Sequence, residues 1–287
     1  MSMVPRHFRL FLWMAPLFAV NWLLLVFLHP DPGQGRVLEL VTLGLWFGTM
    51  FAHTTLVAAW SAFGPIPLVW RLPLSLIWLV LLALAIGINM STNGGSKEAA
   101  IMFGALMLGQ WFLLQIPLWG MAIGYGIRLQ HRDDQERISD PRQQQFGIRQ
   151  LLTITTLMGV IFGLGRLLVS SYLGRFNVDG EEYGILAFLG VAAVIVTLPL
   201  LLAALLRRHA IPAAVLAAAL IILVTYSELP LLQELFPGPG GGPGSRDFIA
   251  INAGASVILL FLLMIVRFNG YSLGFSRTQG QPQVVAG

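Results

Sequence analysis

Long runs without a charge recur along this chain at a spacing that sets the length of each element. Eight mostly apolar stretches fall at roughly 8–28, 37–62, 72–90, 99–127, 150–173, 183–206, 212–230 and 247–266. A helix rising ~1.5 Å per residue needs about twenty such residues to cross a hydrocarbon layer. The pattern therefore predicts an all-α fold, a polytopic transmembrane helical bundle of about eight spans with both termini cytoplasmic. The second and fourth stretches exceed what a bilayer requires, so they are expected to tilt or to project.

Short polar segments divide the runs. Residues 128–149, RLQHRDDQERISDPRQQQFGIR, form a charged linker between a first four-helix half, 1–127, and a second, 150–270. Residues 236–246, FPGPGGGPGSR, read as a flexible Pro/Gly-rich loop, and 271–287 as a disordered tail. Each half opens with an aromatic residue and an arginine ahead of an apolar run: Phe8 and Arg9 in one, Phe146 and Arg149 in the other. Duplication of a four-helix unit is one reading of that match, and the copies would then be parallel. Against it, every tryptophan lies between Trp13 and Trp119. The apolar run that follows Arg9 is too long for a signal peptide and lacks a cleavage pattern, so it reads as a first span that is retained.

Composition confirms the solvent. Of 287 residues 56% are hydrophobic and 10% charged, with a mean hydropathy of +0.78; soluble domains carry roughly 25% charged residues. A surface this poor in charge suits lipid and not water. The pI near 10 comes from arginines in short connections, where they orient a membrane protein. With the termini inside, Arg6, Arg9, Arg71, Arg128, Arg132, Arg137, Arg142, Arg149, Arg207, Arg208, Arg267 and Arg277 are inner, whereas Arg36, Lys97, Arg175 and Arg246 are outer. That bias supports an even number of spans. No basic stripe interleaved with aromatics occurs, so nucleic acid is not an expected partner; the partners are the lipid bilayer and other membrane proteins.

The sequence Phe146-x-x-Arg149-x-Leu151-Leu152-x-x-Thr155-Thr156 begins the fifth stretch. It resembles a segment recurrent in multi-pass membrane proteins of planctomycete bacteria, over about twenty residues. The resemblance implies a bacterial inner-membrane location and carries no activity. Physically, Arg149 and Phe146 suit the inner interface, and both threonines can bond carbonyls one turn back.

Polar residues inside the runs are the candidates for function. Arg166 lies seventeen residues beyond Arg149, about ten ångströms short of the outer surface at ~1.5 Å per residue. It either snorkels outward or pairs with an outer carboxylate such as Glu39, Glu181, Glu182 or Glu228, lining an anion-accessible cavity. His53 falls at the same depth as Gln115 when the second and fourth helices run in one direction, with Gln110 higher and Asn21 reachable from the first helix. Such a layer acts as interhelical glue or as a proton relay or solute path. Small-xxx-small pairs at Gly44/Gly48, Gly120/Gly124 and Gly159/Gly163 mark faces for close helix packing.

Several chemistries lack their residues. There are no cysteines, hence no thiolate metal site or disulfide. The lone lysine, Lys97, falls between spans, so a retinal Schiff base is not expected. HExxH, GxSxG and P-loop runs are missing. No cofactor or metal is expected and no enzymatic activity. The residues suit a scaffold, accessory subunit or interaction protein, or alternatively a small-solute transporter or channel using His53, Gln110, Gln115 and Arg166.

Overall fold

The computed structural model describes residues 18–20, 22–28, 35–64, 67–94, 96–131, 180–206, 210–235 and 244–275. Over these the chain folds as α1 (Phe18–Phe27), α2 (Arg36–Phe63), α3 (Leu68–Thr92), α4 (Lys97–Gly124), α5 (Gly180–Leu205), α6 (Ala210–Leu235) and α7 (Ser245–Phe268). Two short strands, β1 (Ile127–His131) and β2 (Tyr271–Phe275), complete it. Among the described residues six helices, α2 to α7, are long and apolar enough to cross a membrane. The apolar stretches read from the sequence coincide with them to within a few residues at most ends. The fifth stretch lies outside the described residues.

Local chemistry places the helix ends. Ser96 caps α4 by accepting from the Ala99 N–H, and Glu98 adds a carboxylate to the first turn. At α7 the Asp247 carboxylate reaches back to accept from the Gly244 N–H at 2.6 Å. Both α2 and α4 run for 28 residues, about 42 Å at ~1.5 Å per residue, and so exceed a hydrocarbon core of about 30 Å.

The bundle buries a set of polar side chains within a mainly apolar core and is apolar on its outer surface. Helix α2 is the most enclosed, packing against α3, α4, α5 and α7, and its buried positions include Thr42, Thr49, His53, Thr54, Thr55 and Ser61. The exposed side chains of the outer helices are instead Val80 and Leu84 of α3, Leu223 of α6, and Val257 and Phe261 of α7. A water-soluble bundle covers its outer faces with charged and polar side chains, and the apolar outer faces here suit hydrocarbon.

Close approach fixes how α2 meets α7. Gly44 of α2 lies against the Ala250 carbonyl, and Gly48 against the backbone of Gly254 and Ala255. A methyl group at either position would collide with main chain, so glycine sets the helix separation. Gly120 and Gly124 behave otherwise: nothing lies within 4 Å of where their Cβ atoms would be. The expectation of close packing therefore holds for Gly44/Gly48 and is corrected for Gly120/Gly124. Gly159/Gly163 lie outside the described residues.

The direction of each helix follows from its contacts. Residues of α4 meet α2 in ascending order on both, and α7 meets α2 likewise, so α2, α4 and α7 are parallel. Arg267 donates to the Ala204 carbonyl, which brings the ends of α5 and α7 together and makes α5 parallel to them. Helices α3 and α6 run the opposite way, and the end of α1 meets Asn89 near the end of α3.

The strand pair departs from a purely helical reading. β1 and β2 pair antiparallel, with Ile127 opposite Phe275 and His131 opposite Tyr271. Gly126 and Gly270, at φ 62° and 84°, turn the chain out of α4 and α7 into the strands. Ile127, Tyr271 and Leu273 are buried against the bundle while Arg128 is exposed, the alternation that a one-sided ribbon requires. Residues 271–275, expected to begin a disordered tail, are thus ordered, and the ribbon joins the end of α4 to the end of α7. Five-residue strands with two or three apolar positions on one face carry too little periodicity to stand out beside twenty-residue apolar runs.

Candidate polar sites within the bundle

Three polar groups lie between helices. The first joins α4 to α2. Gln110 donates through Nε2 to the Phe51 carbonyl at 3.2 Å and to Thr55 Oγ1 at 3.1 Å. One and a half turns further, Gln115 donates to the Ala58 carbonyl and to Ser61 Oγ at 2.6 Å, while its Oε1 accepts from Trp119 Nε1 at 2.6 Å. Positions 51, 55, 58 and 61 recur at helical spacing, so one face of α2 supplies every acceptor.

His53 points elsewhere. Two residues from both 51 and 55, it lies about 200° around the helix at ~100° per residue, towards α1 and α3. Its Nδ1 stands 2.8 Å from the Thr49 carbonyl; a carbonyl only accepts, so Nδ1 carries the proton in that bond. Phe18 meets the ring edge-on at 4.8 Å and stacks on Trp78 of α3 at 4.4 Å. The depth inferred for His53 and Gln115 suits α2 and α4 running in one direction. Among the described residues His53 and Gln115 do not meet, because depth along an axis leaves the facing side undetermined.

The third group joins α6 to α7 nearer the opposite end. Asn252 donates through Nδ2 to Glu228 Oε2 at 2.6 Å and to Thr225 Oγ1 at 3.1 Å. Glu228 is 2% exposed. No Lys or Arg among the described residues meets it. A carboxyl in this position within a membrane is held by neutral partners in place of a cation.

Of the other candidates, Glu39 lies in the first turn of α2, half-buried. Asn21 and Arg166 lie outside the described residues, as do the side chains of Glu181 and Glu182. Sequence reasoning passed over Asn252 and Asn89. Asn89 donates to the Val26 and Leu28 carbonyls, satisfying groups that the last turn of α1 leaves without a helical donor. Each was visible as an isolated asparagine in an uncharged run, a residue that hydrocarbon tolerates only with partners.

Among the described residues no group of three or more His, Asp or Glu side chains is arranged to hold a metal ion. No protein-family model, curated protein or solved structure matches the chain.

Proposed function

We propose that the protein is a bacterial inner-membrane component without catalytic chemistry, serving as a scaffold, accessory subunit or interaction partner for other membrane proteins. In this reading it crosses the bilayer eight times with both termini cytoplasmic. Helices α4 and α5 are parallel, which supports one further crossing in 132–179, the interval that holds the fifth apolar stretch. The observation that carries the role is how interior polar groups are matched. Thr54, Thr55 and Ser61 bond carbonyls of their own helix, and Gln110 and Gln115 tie α4 to α2. Groups engaged in this way hold helices in register and leave little capacity to bind a passing solute.

A second reading, a small-solute transporter or channel, is favoured by Glu228 and by unmatched polar atoms inside. Thr49 Oγ1, Gln110 Oε1 and Trp111 Nε1 are enclosed with no hydrogen-bond partner among the described residues. Enclosed unmatched groups of this kind cost about 1–3 kcal/mol each unless something binds them.

Cysteine substitution separates the readings, because the chain has no cysteine. Single cysteines at positions 53, 110, 115 and 228 are expected to resist a membrane-impermeant thiol reagent. Labelling that grades from one side of the membrane through these positions would reveal a water path and overturn the scaffold reading.

A further inference from the structure

The carboxyl and the amide that join α6 to α7 sit at one depth. Glu228 lies seven residues before the end of α6 at Leu235, and Asn252 seven residues after the start of α7 at Ser245. At ~1.5 Å per residue both are about 10 Å below the rim where one helix ends and the next begins. In the other direction α6 extends eighteen residues to Ala210, about 27 Å at the same rise. Glu228 is 2% exposed and Asn252 4%. The pair is enclosed, yet much nearer one face of the bundle than the other.

The chemistry of the contact points to its ligand. Asn252 Nδ2 donates to Glu228 Oε2 at 2.6 Å and to Thr225 Oγ1 at 3.1 Å, one bond for each of its two hydrogens. Its Oδ1 can only accept. A primary amide and a carboxylic acid are complementary, for each is planar and offers one donor and one acceptor on adjacent atoms. The bond from Nδ2 to Oε2 is the half of that pairing that needs no proton on the carboxyl. A proton on Oε1 supplies the second donor and lets the pair close two hydrogen bonds. It also removes a charge that hydrocarbon penalises by far more than a neutral polar group.

We infer that Glu228 and Asn252 form a proton-binding site within the membrane. At neutral pH Glu228 is a carboxylic acid that donates from Oε1 to Asn252 Oδ1, and it exchanges its proton with the near rim. The other titratable side chains of the two helices lie apart from the pair. Tyr226 is 73% exposed, and Glu234 and Arg246 are exposed at the rim. Asp247 is engaged with Gly244, and Arg267 with Ala204 at the opposite end. On α2, which packs against α7, Gly44 and Gly48 bracket the depth of Asn252, while Arg36 and Glu39 lie in the first turn. On α5, which packs against both helices, Glu181, Glu182 and Tyr183 have side chains outside the described residues, as does Arg166. A cation reaching Glu228 from there would hold it ionised, and the experiment separates that state from the protonated one. The site requires only that α6 and α7 lie in the membrane, and so goes beyond both readings of the protein's role.

The test uses the full chain in phosphatidylcholine vesicles, with infrared difference spectra between neutral and alkaline buffer. At neutral pH the wild type should show the carbonyl stretch of a protonated carboxylic acid, lost in alkali and shifted down in heavy water as a deuteron replaces the proton. Glu228→Gln should abolish that band, and Glu234→Gln, at the exposed rim, should keep it. Asn252→Leu should move it to higher frequency, the position of an acid without a hydrogen-bond partner. Dicyclohexylcarbodiimide, a lipid-soluble reagent that adds to protonated carboxyls, gives a second measurement that needs no variant. Peptide mapping of the wild type should find the adduct on Glu228, forming about tenfold more slowly for each pH unit above the titration of the site. A carboxylate stretch from Glu228 at neutral pH would mean that a cation holds it ionised and would overturn the assignment. A band unchanged by Glu228→Gln, or an adduct formed equally on Glu234, would do the same. A band that keeps its position in heavy water would refute exchange with the rim, and one that keeps it in Asn252→Leu would refute the pairing with the amide.

Discussion

Adding one methyl group at the α2–α7 contact measures how far glycine sets the architecture. In Gly44→Ala the new Cβ would stand 2.5 Å from the Ala250 carbonyl oxygen, whereas ordinary contact begins at 3.4 Å. The shortfall of about 0.9 Å falls on main chain, which has no rotamer to swing away. The helices have to separate by that order along a face where α2 buries much of its length. Overpacking of this kind costs about 1–3 kcal/mol, and alanine returns up to about 1 kcal/mol through its better helix propensity. The net expectation is a loss of about 1–2 kcal/mol, and similarly for Gly48→Ala and Gly254→Ala. Gly44 and Gly254 meet each other, so the double variant should fall short of the sum of the singles. Gly120→Ala is the control: its Cβ has open space, leaving only the propensity gain. Thermal or SDS-induced unfolding of the purified chain in mild detergent, followed by circular dichroism, reads the difference. Gly44→Ala should melt below wild type and Gly120→Ala at or above it. If the two glycines respond alike, close approach does not hold α2 to α7 and the reasoning fails.

Other expected outcomes follow from the polar contacts and the ribbon. Gln115→Leu removes bonds to Ser61, Ala58 and Trp119, and at about 0.6 kcal/mol per interhelical bond should cost about 1 kcal/mol in the same unfolding assay. Coupling to Ser61→Ala in a double-mutant cycle checks that the loss arises there. Glu228→Gln retains an oxygen for Asn252 and should melt like wild type, whereas Asn252→Leu strands a buried carboxyl and should lose about 1–3 kcal/mol; equal melting of the two would contradict a structural hydrogen bond. Gly270→Val forces a branched side chain into the left-handed region at φ 84° at a cost of about 1–2 kcal/mol. The ribbon should loosen, detectable as faster proteolysis within 127–131 and 271–275 while the helices stay protected.

Much of the candidate site was readable one helix at a time. Gln110 and Gln115 stood out because amides in an uncharged run need partners, and the structure matches both of them on α2. His53 stood out for the same reason yet faces the aromatic pair Phe18 and Trp78, since two residues along a helix turn a side chain to the far side. Asn252 was as conspicuous in the sequence as Gln110; its importance emerged only when Glu228 of the preceding helix came opposite it.

What the sequence settles alone is the solvent and the approximate ends of each helix. Both depend on local sums: about twenty residues either carry charge or do not, and Ser96 or Asp247 either caps its turn or does not. Which helix faces which is a global property. Gly44 meets Ala250 and Gly48 meets Gly254 across some two hundred residues of chain, and no local pattern distinguishes those glycines from Gly120 and Gly124, which meet nothing within 4 Å. The ribbon is of the same kind, for Ile127 and Phe275 become neighbours only after α4 and α7 have ended on one side. Hydrophobicity drives each helix into lipid but provides no preference among partners there. Close packing and interhelical hydrogen bonds make that choice, and they exist only in the assembled bundle.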